Sequence, residues 1–193
     1  QSFVDGGIDV PAANIRIRTD YMGGGFGAKF NPDRWGIVGA QLARTTGKPV
    51  KICLDRAQEV AVAGSRPSAW AEIELGGKRE GRLTAWRSRS WGSGGLPGTN
   101  STPIPYLFDI ENQDKSHTSV STNKAGSRAW RAPNHPQACF LTMAMVDDFA
   151  AAIGMDPVAV LRRNLELAPA KIRATWIEQL ELAEQRMDWQ RYR

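Results

Sequence analysis

Cysteine and histidine, the residues that most often bind transition metals, are scarce in this sequence of 193 residues. Its two cysteines, Cys53 and Cys139, lie far apart and form no C-x-x-C pair, which argues against a zinc or iron–sulfur site. We therefore predict that both thiols are reduced and buried. The two histidines are also isolated. We predict that His117 is exposed on a strand and that His135 packs or caps a loop rather than binding a metal.

Long apolar runs and blocks of like charge are absent as well. No stretch approaches the roughly 18 apolar residues that a membrane-spanning helix needs, so we predict no membrane span. The net charge of +5 is spread over scattered arginines, which disfavours a nucleic-acid partner and would suit an anionic cofactor or an acidic partner. The chain lacks an initiator methionine and begins with apolar residues, and we predict a fragment of a longer polypeptide.

Glycine is concentrated in one place, the run Y-M-G-G-G-F-G-A-K-F over residues 21–30. Glycine tolerates positive φ, and successive N–H groups in such a loop can form an anion-binding nest. The loop fits no P-loop, because Ala28 and Phe30 flank Lys29, and it lacks the partner motifs of a kinase. It does not complete a Rossmann fingerprint either. A tight turn packed on Phe26 remains the alternative to a ligand site.

Periodicity and turn residues predict an α+β fold with a mixed β-sheet or hairpin and a helical C-terminal part. Residues 1–125 are predicted to be mainly β/α with the glycine loop, and residues 126–193 mainly helical. Asn31 is the predicted N-cap of the first long helix, with Pro32 at its first position. The predicted strands are 14–19, 49–54, 68–75, 82–91 and 115–122, and the predicted helices are 32–46, 56–63, 138–153, 157–164 and 170–189.

Three separated motifs resemble one family. They are M-G-G-G-F-G-A-K at residues 22–29, W-R-A-P-N-H-P-Q-A at residues 130–138, and a helical stretch over residues 147–164. Together they resemble, in order and over nearly the whole chain, the molybdopterin-binding large subunit of the xanthine dehydrogenase/aldehyde oxidase family. The expected fold is therefore part of a molybdopterin-binding domain.

The resemblance implies an oxidoreductase that hydroxylates an aldehyde or an N-heterocycle with water as the oxygen source. Its cofactor would be molybdenum in molybdopterin, in the cytosine dinucleotide form, with [2Fe-2S] and FAD on partner subunits. The residues implied in cofactor binding are Gly24, Gly25, Phe26, Gly27 and Arg131, with no metal ligand in this chain. The alternative for Arg131 is an ordinary surface or ion-paired arginine. By the same resemblance, Gln137 and Ala138 would start a helix that faces the cofactor.

Two departures from the family pattern argue against a purine substrate. The purine-oxidising members carry a glutamate directly after the loop lysine, where this chain has Phe30. They carry an aromatic residue two positions after the arginine, where this chain has Pro133. An aldehyde or another N-heterocycle is therefore the expected substrate.

The resemblance also implies that this chain holds no catalytic residue. The family's active-site glutamate would lie beyond Arg193 and its glutamine near the metal before Gln1, so we expect the isolated chain to be inactive. The adjacent carboxylates of Asp147 and Asp148 are acid–base candidates by type, but a helix would turn one of them to solvent.

Two other functions remain open on the sequence alone. One is a non-catalytic assembly module that binds the iron–sulfur and FAD subunits or the remainder of the large subunit. The other is a phosphate-binding α+β domain without metal. The expected location is the cytoplasm, with the periplasm as the alternative. The substrate, the electron acceptor and the oligomeric state stay open.

Overall fold

The computed structural model describes residues 2–96 and 101–192. In chain order, the helices are α1 (Ser2–Asp5), α2 (Asp33–Thr46), α3 (Arg56–Val62), α4 (His135–Ile153), α5 (Pro157–Arg163), α6 (Ala170–Met187) and α7 (Trp189–Tyr192). The strands are β1 (Trp70–Gly77), β2 (Leu83–Gly95) and β3 (Asn112–Ser121), and short 3-10 turns lie at Ala12–Asn14 and Leu165–Leu167. This mixture of helices and a single small sheet confirms the predicted α+β class.

The sheet has the order β1-β2-β3, so the longest strand lies in the centre. Strands β1 and β2 form the predicted antiparallel hairpin, whereas β2 and β3 run parallel. Parallel neighbours need a long return connection, which explains the extended segment between β2 and β3. Along β2, Trp86, Ser88 and Ser90 are buried while Arg87 and Arg89 are exposed, so one face of the sheet packs inward.

The hydrophobic core lies between that inner face, the segment before β3, and helices α4 and α5. Helix α4 contributes through the face that repeats every four residues, and Thr142 accepts a hydrogen bond from the Tyr106 N–H at 2.7 Å. Burial of this apolar surface is the main stabilising contribution to the fold. The buried apolar residues of the core are Leu83, Trp86, Ile104, Phe108, Ile110, Ala138, Val146, Ala150 and Val160.

Asn164, which is fully buried, joins the end of α5 to the hairpin turn. Its Oδ1 accepts from the Leu83 N–H at 2.9 Å. Its Nδ2 donates to the Gly81 carbonyl at 2.7 Å and to the Val160 carbonyl at 2.8 Å. One amide side chain therefore satisfies three backbone groups that would otherwise be buried without partners.

The helices follow their sequence signals closely. Asp55 and Gln58 form a reciprocal capping box at the start of α3, and the Asp156 carboxylate caps α5 through the Val158 N–H. Gly47 follows α2 in the left-handed conformation, so the helix ends where the predicted range 32–46 ends. The start of α2 differs, because the helix begins at Asp33 with Pro32 as N-cap and without a side-chain capping bond.

Two predicted strands are wrong. Residues 14–19 and 49–54 alternate as strands do, but neither segment pairs with another strand. An alternating pattern forms a strand only where a neighbour supplies hydrogen bonds and apolar cover. Ile17 is 71% exposed, so the expected inward face of the first segment has nothing to pack against. Cys53, in the second segment, is exposed rather than buried, and Cys139 is half-buried; both thiols are free.

For the two long C-terminal helices, spacing in the sequence predicts buried faces of Ala138, Leu141, Met145, Phe149 and Ala152 on α4 and of Trp176, Leu180, Ala183 and Met187 on α6, and these faces are only partly correct. On α4, Ala152 is exposed, and the fully buried row is shifted to Ala138, Thr142, Val146 and Ala150. On α6, Trp176 and Leu180 are half-buried, whereas Ala183 and Met187 are exposed. Ion pairs of Arg162 with Glu181 and Glu184 join α6 to α5, and the Trp189 indole of α7 donates a hydrogen bond to the Asp156 carboxylate.

Among the described residues, no single helix is long and apolar enough to cross a membrane. Only α4 and α5 taken together meet the length and composition criterion, and they are bent by 107° relative to each other.

Candidate functional site

The glycine loop, residues 23–29, forms a tight turn just before α2. The Ala28 N–H donates to the Gly25 carbonyl at 2.9 Å, and the Lys29 ammonium donates to the Gly24 carbonyl at 2.6 Å. Gly24 and Gly27 have φ values of 101° and 82°, which only glycine adopts readily. Phe26, at φ 49°, also lies in the left-handed region and is therefore locally strained.

The glycine loop packs against the arginine loop, residues 128–134. The ring of Phe26 stacks on that of Trp130, with centroids 5.4 Å apart and planes 26° apart. A Cβ added to Gly27 would lie 2.9 Å from backbone atoms of Ala129. Two motifs about a hundred residues apart in sequence thus meet directly, as a shared binding site requires.

Arg131 is exposed at this junction. Within residues 2–96 and 101–192, its guanidinium makes no hydrogen bond or ion pair, and only its backbone carbonyl is engaged. Of the two alternatives to a binding role, the structure argues against an ion-paired arginine, while an exposed surface arginine matches what it shows. Arg128, three residues earlier, is the one that is paired, with Asp33 at the start of α2.

A segment between α3 and β1, residues 64–67, holds the arginine loop from the other side. The Arg128 N–H donates to the Ser65 carbonyl at 3.0 Å. The Arg66 guanidinium donates to the carbonyl of Arg131 at 2.9 Å and to that of Ala132 at 3.4 Å. No periodicity or motif in the sequence indicates Arg66, so the sequence offered no signal for this contact.

Gln137 and Ala138 lie in the first turn of α4. The Gln137 Nε2 donates to the Pro67 carbonyl at 2.8 Å, so its amide is directed to the 64–67 segment. Ala138 is fully buried in the core. The first turn of α4 therefore supports the arginine loop through the neighbouring segment, and its orientation towards a cofactor stays a prediction.

The remaining candidates lie outside the junction. Asp147 and Asp148 are both exposed, about 18 Å along the α4 axis from its first residue. Partial burial, with the charge of Asp148 as the second cause, raises the pKa of Asp147. The ring of His135 packs edge-on against that of Tyr106, with centroids 5.5 Å apart, in keeping with a packing role. His117 is exposed on β3, as predicted.

The junction offers hydrogen-bond donors and positive charge to a ligand. In the described part of the chain, the N–H groups of Gly24, Gly25, Phe26 and Gly27 donate no hydrogen bond, and no carboxylate pairs with Arg66 or Arg131. The Oδ1 of Asn134, in the arginine loop, is buried without a partner. Free N–H dipoles and an uncompensated guanidinium suit an anionic group rather than a bare cation. The residues therefore fit an anionic cofactor such as molybdopterin.

The described residues contain no cluster of three His, Cys, Asp or Glu side chains that could bind a metal ion by themselves.

Comparison with known structures places the fold. A quinoline 2-oxidoreductase from Pseudomonas putida superposes with a TM-score of 0.72, covering 89% of this chain and 24% of that one at 20% identity. An aldehyde oxidoreductase from Desulfovibrio gigas superposes with a TM-score of 0.64, covering 74% and 16% at 28% identity. The first of these likenesses concerns the fold alone.

Sequence comparison gives the family. The aldehyde oxidoreductase molybdenum-binding subunit PaoC of Escherichia coli is 30% identical over 155 residues, which are 78% of this chain and 21% of that protein. The chain thus spans about a fifth of the length of this relative. The family profile described as molybdopterin cofactor-binding domain matches residues 1–165. Because that match covers most of the sequence, the chain belongs to the molybdopterin cofactor-binding domain family.

Proposed function

We propose that this chain forms part of the cofactor cradle of a molybdenum hydroxylase, an oxidoreductase that introduces oxygen from water into an aldehyde or an N-heterocycle. The observation that carries the proposal is the direct contact between the glycine loop and the arginine loop. This contact brings free N–H groups and an unneutralised guanidinium to one place. Membership of the molybdopterin cofactor-binding domain family supports it independently.

The proposed binding residues fall into two groups, one that donates backbone hydrogen bonds and one that supplies charge. Gly24, Gly25, Phe26 and Gly27 would donate backbone hydrogen bonds to acceptor atoms of the cofactor, and Arg131 would offset its negative charge. Fixed N–H dipoles stabilise charge without reorganisation, which favours a centre whose charge changes during reaction. When bound, the molybdenum cofactor would supply the two-electron redox chemistry that side chains lack.

The finer assignments extend the same proposal. We assign the cytosine dinucleotide form of the cofactor, and [2Fe-2S] and FAD on partner subunits. Phe30 and Pro133 stand where a purine site needs a glutamate and an aromatic ring, which supports a non-purine substrate. PaoC, by name an aldehyde oxidoreductase subunit, favours an aldehyde. The absence of a disulfide, with both cysteines free, is in keeping with a cytoplasmic location over the periplasm.

Molybdenum analysis of the enzyme purified with its native partners tests this function. We expect stoichiometric metal in the wild type, and about tenfold or more loss in Arg131→Ala, because a charge-assisted contact to the cofactor is removed. Arg79→Ala is the matched control, since Arg79 is an exposed arginine in the β1–β2 turn. Equal metal in the two variants would contradict the role of Arg131, and a metal-free wild type would contradict the function itself.

The isolated 193-residue chain should not oxidise aldehydes even when it is folded. Asp33, whose carboxylate lies at the junction, is paired with Arg128. Without a free base within hydrogen-bond reach, proton transfer from the substrate has no acceptor. The measurement is aldehyde-dependent reduction of a dye by the isolated chain beside the complete enzyme. Turnover by the isolated chain would show that a base lies within it.

A second candidate, a non-catalytic assembly module, is favoured by one observation. Large apolar side chains are exposed around the glycine loop and along α2: Tyr21 98%, Met22 60%, Phe30 75%, Val38 45% and Leu42 46%. Apolar surface of this kind is typical of faces that another polypeptide covers. A folded assembly that contains no molybdenum in any preparation would favour this candidate.

A further inference from the structure

We propose that Arg66 is a positioning residue that holds the arginine loop in its cofactor-binding conformation; this inference rests on the function proposed above. Its guanidinium spans two consecutive carbonyls, those of Arg131 at 2.9 Å and Ala132 at 3.4 Å. It therefore fixes the backbone on which the Arg131 side chain is mounted. Arg66 itself would not touch the cofactor or the substrate.

The arginine loop needs such a constraint because its backbone is strained. Ala132 has a φ of 51°, in the left-handed region that residues with a Cβ other than Asn and Asp rarely adopt. Strained conformations persist only where the surrounding structure holds them. Within the loop, the His135 N–H also donates to the Ala132 carbonyl at 3.2 Å. Arg66 is the side chain that binds these carbonyls from outside.

Gln137 completes the arrangement. Its Nε2 donates to the Pro67 carbonyl at 2.8 Å, and its Oε1 lies 3.5 Å from an Arg66 nitrogen. Pro67 is buried, so this end of the segment is enclosed by the rest of the fold. The Arg66–Gln137 clasp, made of these two side chains, connects the arginine loop to the start of β1.

The charge of Arg66 acts in the same direction. In the described ranges no carboxylate pairs with it, and all its partners are carbonyl or amide oxygens. A half-buried, uncompensated guanidinium next to the Arg131 backbone raises the positive potential at the junction. An anionic cofactor would therefore gain from Arg66 both a fixed loop and a favourable field.

The experiment has two independent measurements. In the enzyme purified with its partners, we expect Arg66→Ala to lower the molybdenum content about tenfold. Arg66→Lys keeps the positive charge but not the planar pair of guanidinium donors, so we expect it to recover part of that content. The residual Mo(V) electron paramagnetic resonance signal should become heterogeneous in both variants, because the loop is no longer fixed. The iron–sulfur signals should stay unchanged, and Arg79→Ala should match the wild type throughout.

Hydrogen exchange of the same metal-depleted preparations is the second measurement. We expect faster exchange at residues 128–134 in Arg66→Ala and Arg66→Lys, with the core amides of β2 and α4 unchanged. Unchanged exchange in the loop would overturn the inference, as would molybdenum content and signal equal to those of Arg79→Ala. If the wild type holds no molybdenum, the proposed function fails, and exchange still decides whether Arg66 fixes the loop. If Arg66→Ala does not fold, hydrogen exchange at residues 128–134 in Arg66→Lys decides whether Arg66 fixes the loop.

Discussion

Replacing Gly27 by alanine should separate the two halves of the candidate site while leaving the core folded. The added Cβ would meet the Ala129 backbone at 2.9 Å, closer than real Cβ atoms approach, and φ is 82° at this residue. Overpacking against backbone and left-handed strain together cost about 2 kcal/mol or more. The glycine loop can relieve this cost by moving away from the arginine loop, and Phe26 would then leave Trp130.

We therefore expect Gly27→Ala to lower molybdenum content by more than about tenfold, with the thermal midpoint of the complete enzyme little changed. Control substitutions at two other glycines separate the effect of the steric clash from that of the backbone strain. Gly47 has φ 64° with nothing within 4 Å of an added Cβ, so Gly47→Ala introduces the left-handed backbone strain without a steric clash. Gly23 lies in the same loop as Gly27 with equally open space, so Gly23→Ala introduces neither the backbone strain nor the steric clash. Retention of molybdenum in Gly27→Ala would show that contact between the loops is not needed for binding.

Replacing Asn164 by leucine should produce the largest loss of global stability. Leucine is close in size, but it leaves the Leu83 N–H and the Gly81 carbonyl buried without their partner. Each unsatisfied buried group costs about 1–3 kcal/mol, so we expect the free energy of unfolding to fall by about 3 kcal/mol. Chemical denaturation of the 193-residue chain, followed by circular dichroism, measures the change.

Asn112 supplies the matched control for this substitution. Its Nδ2 donates to the Thr84 carbonyl at 2.8 Å, the same kind of bond between two elements, but at an exposed position. Water can replace that bond, so Asn112→Leu should cost less than about 1 kcal/mol. If the two variants lost equal stability, burial of the Asn164 amide would not be the cause.

The local parts of this fold could be predicted because local chemistry decides them. The end of α2 before Gly47 and the β1–β2 hairpin each depend on neighbours in sequence. Residues 14–19 and 49–54 were predicted wrongly because strand formation depends on a partner elsewhere in the chain. An alternating pattern does not say whether that partner exists.

The candidate site likewise contains residues that the sequence indicated and residues that it did not. Phe26, Gly27 and Arg131 were predicted from a family resemblance, and the structure brings their loops together; their binding roles stay predictions. Arg66 was not predicted, because its partners are backbone carbonyls that any residue provides. Asn164 was placed only as the end of a helix, since a side-chain bond to a distant backbone leaves no periodic trace in the sequence.

The ion pair between Arg128 and Asp33 joins residues 95 apart in the chain, and it closes the same junction as the Phe26–Trp130 stack. Contacts of such high sequence separation carry a loop-closure entropy that local helices do not. They also make folding slower, because distant segments must meet before any contact is gained. During synthesis, the glycine loop leaves the ribosome long before the arginine loop exists. The proposed cradle is therefore completed only once both loops have been synthesised, and insertion of the proposed cofactor would follow that step.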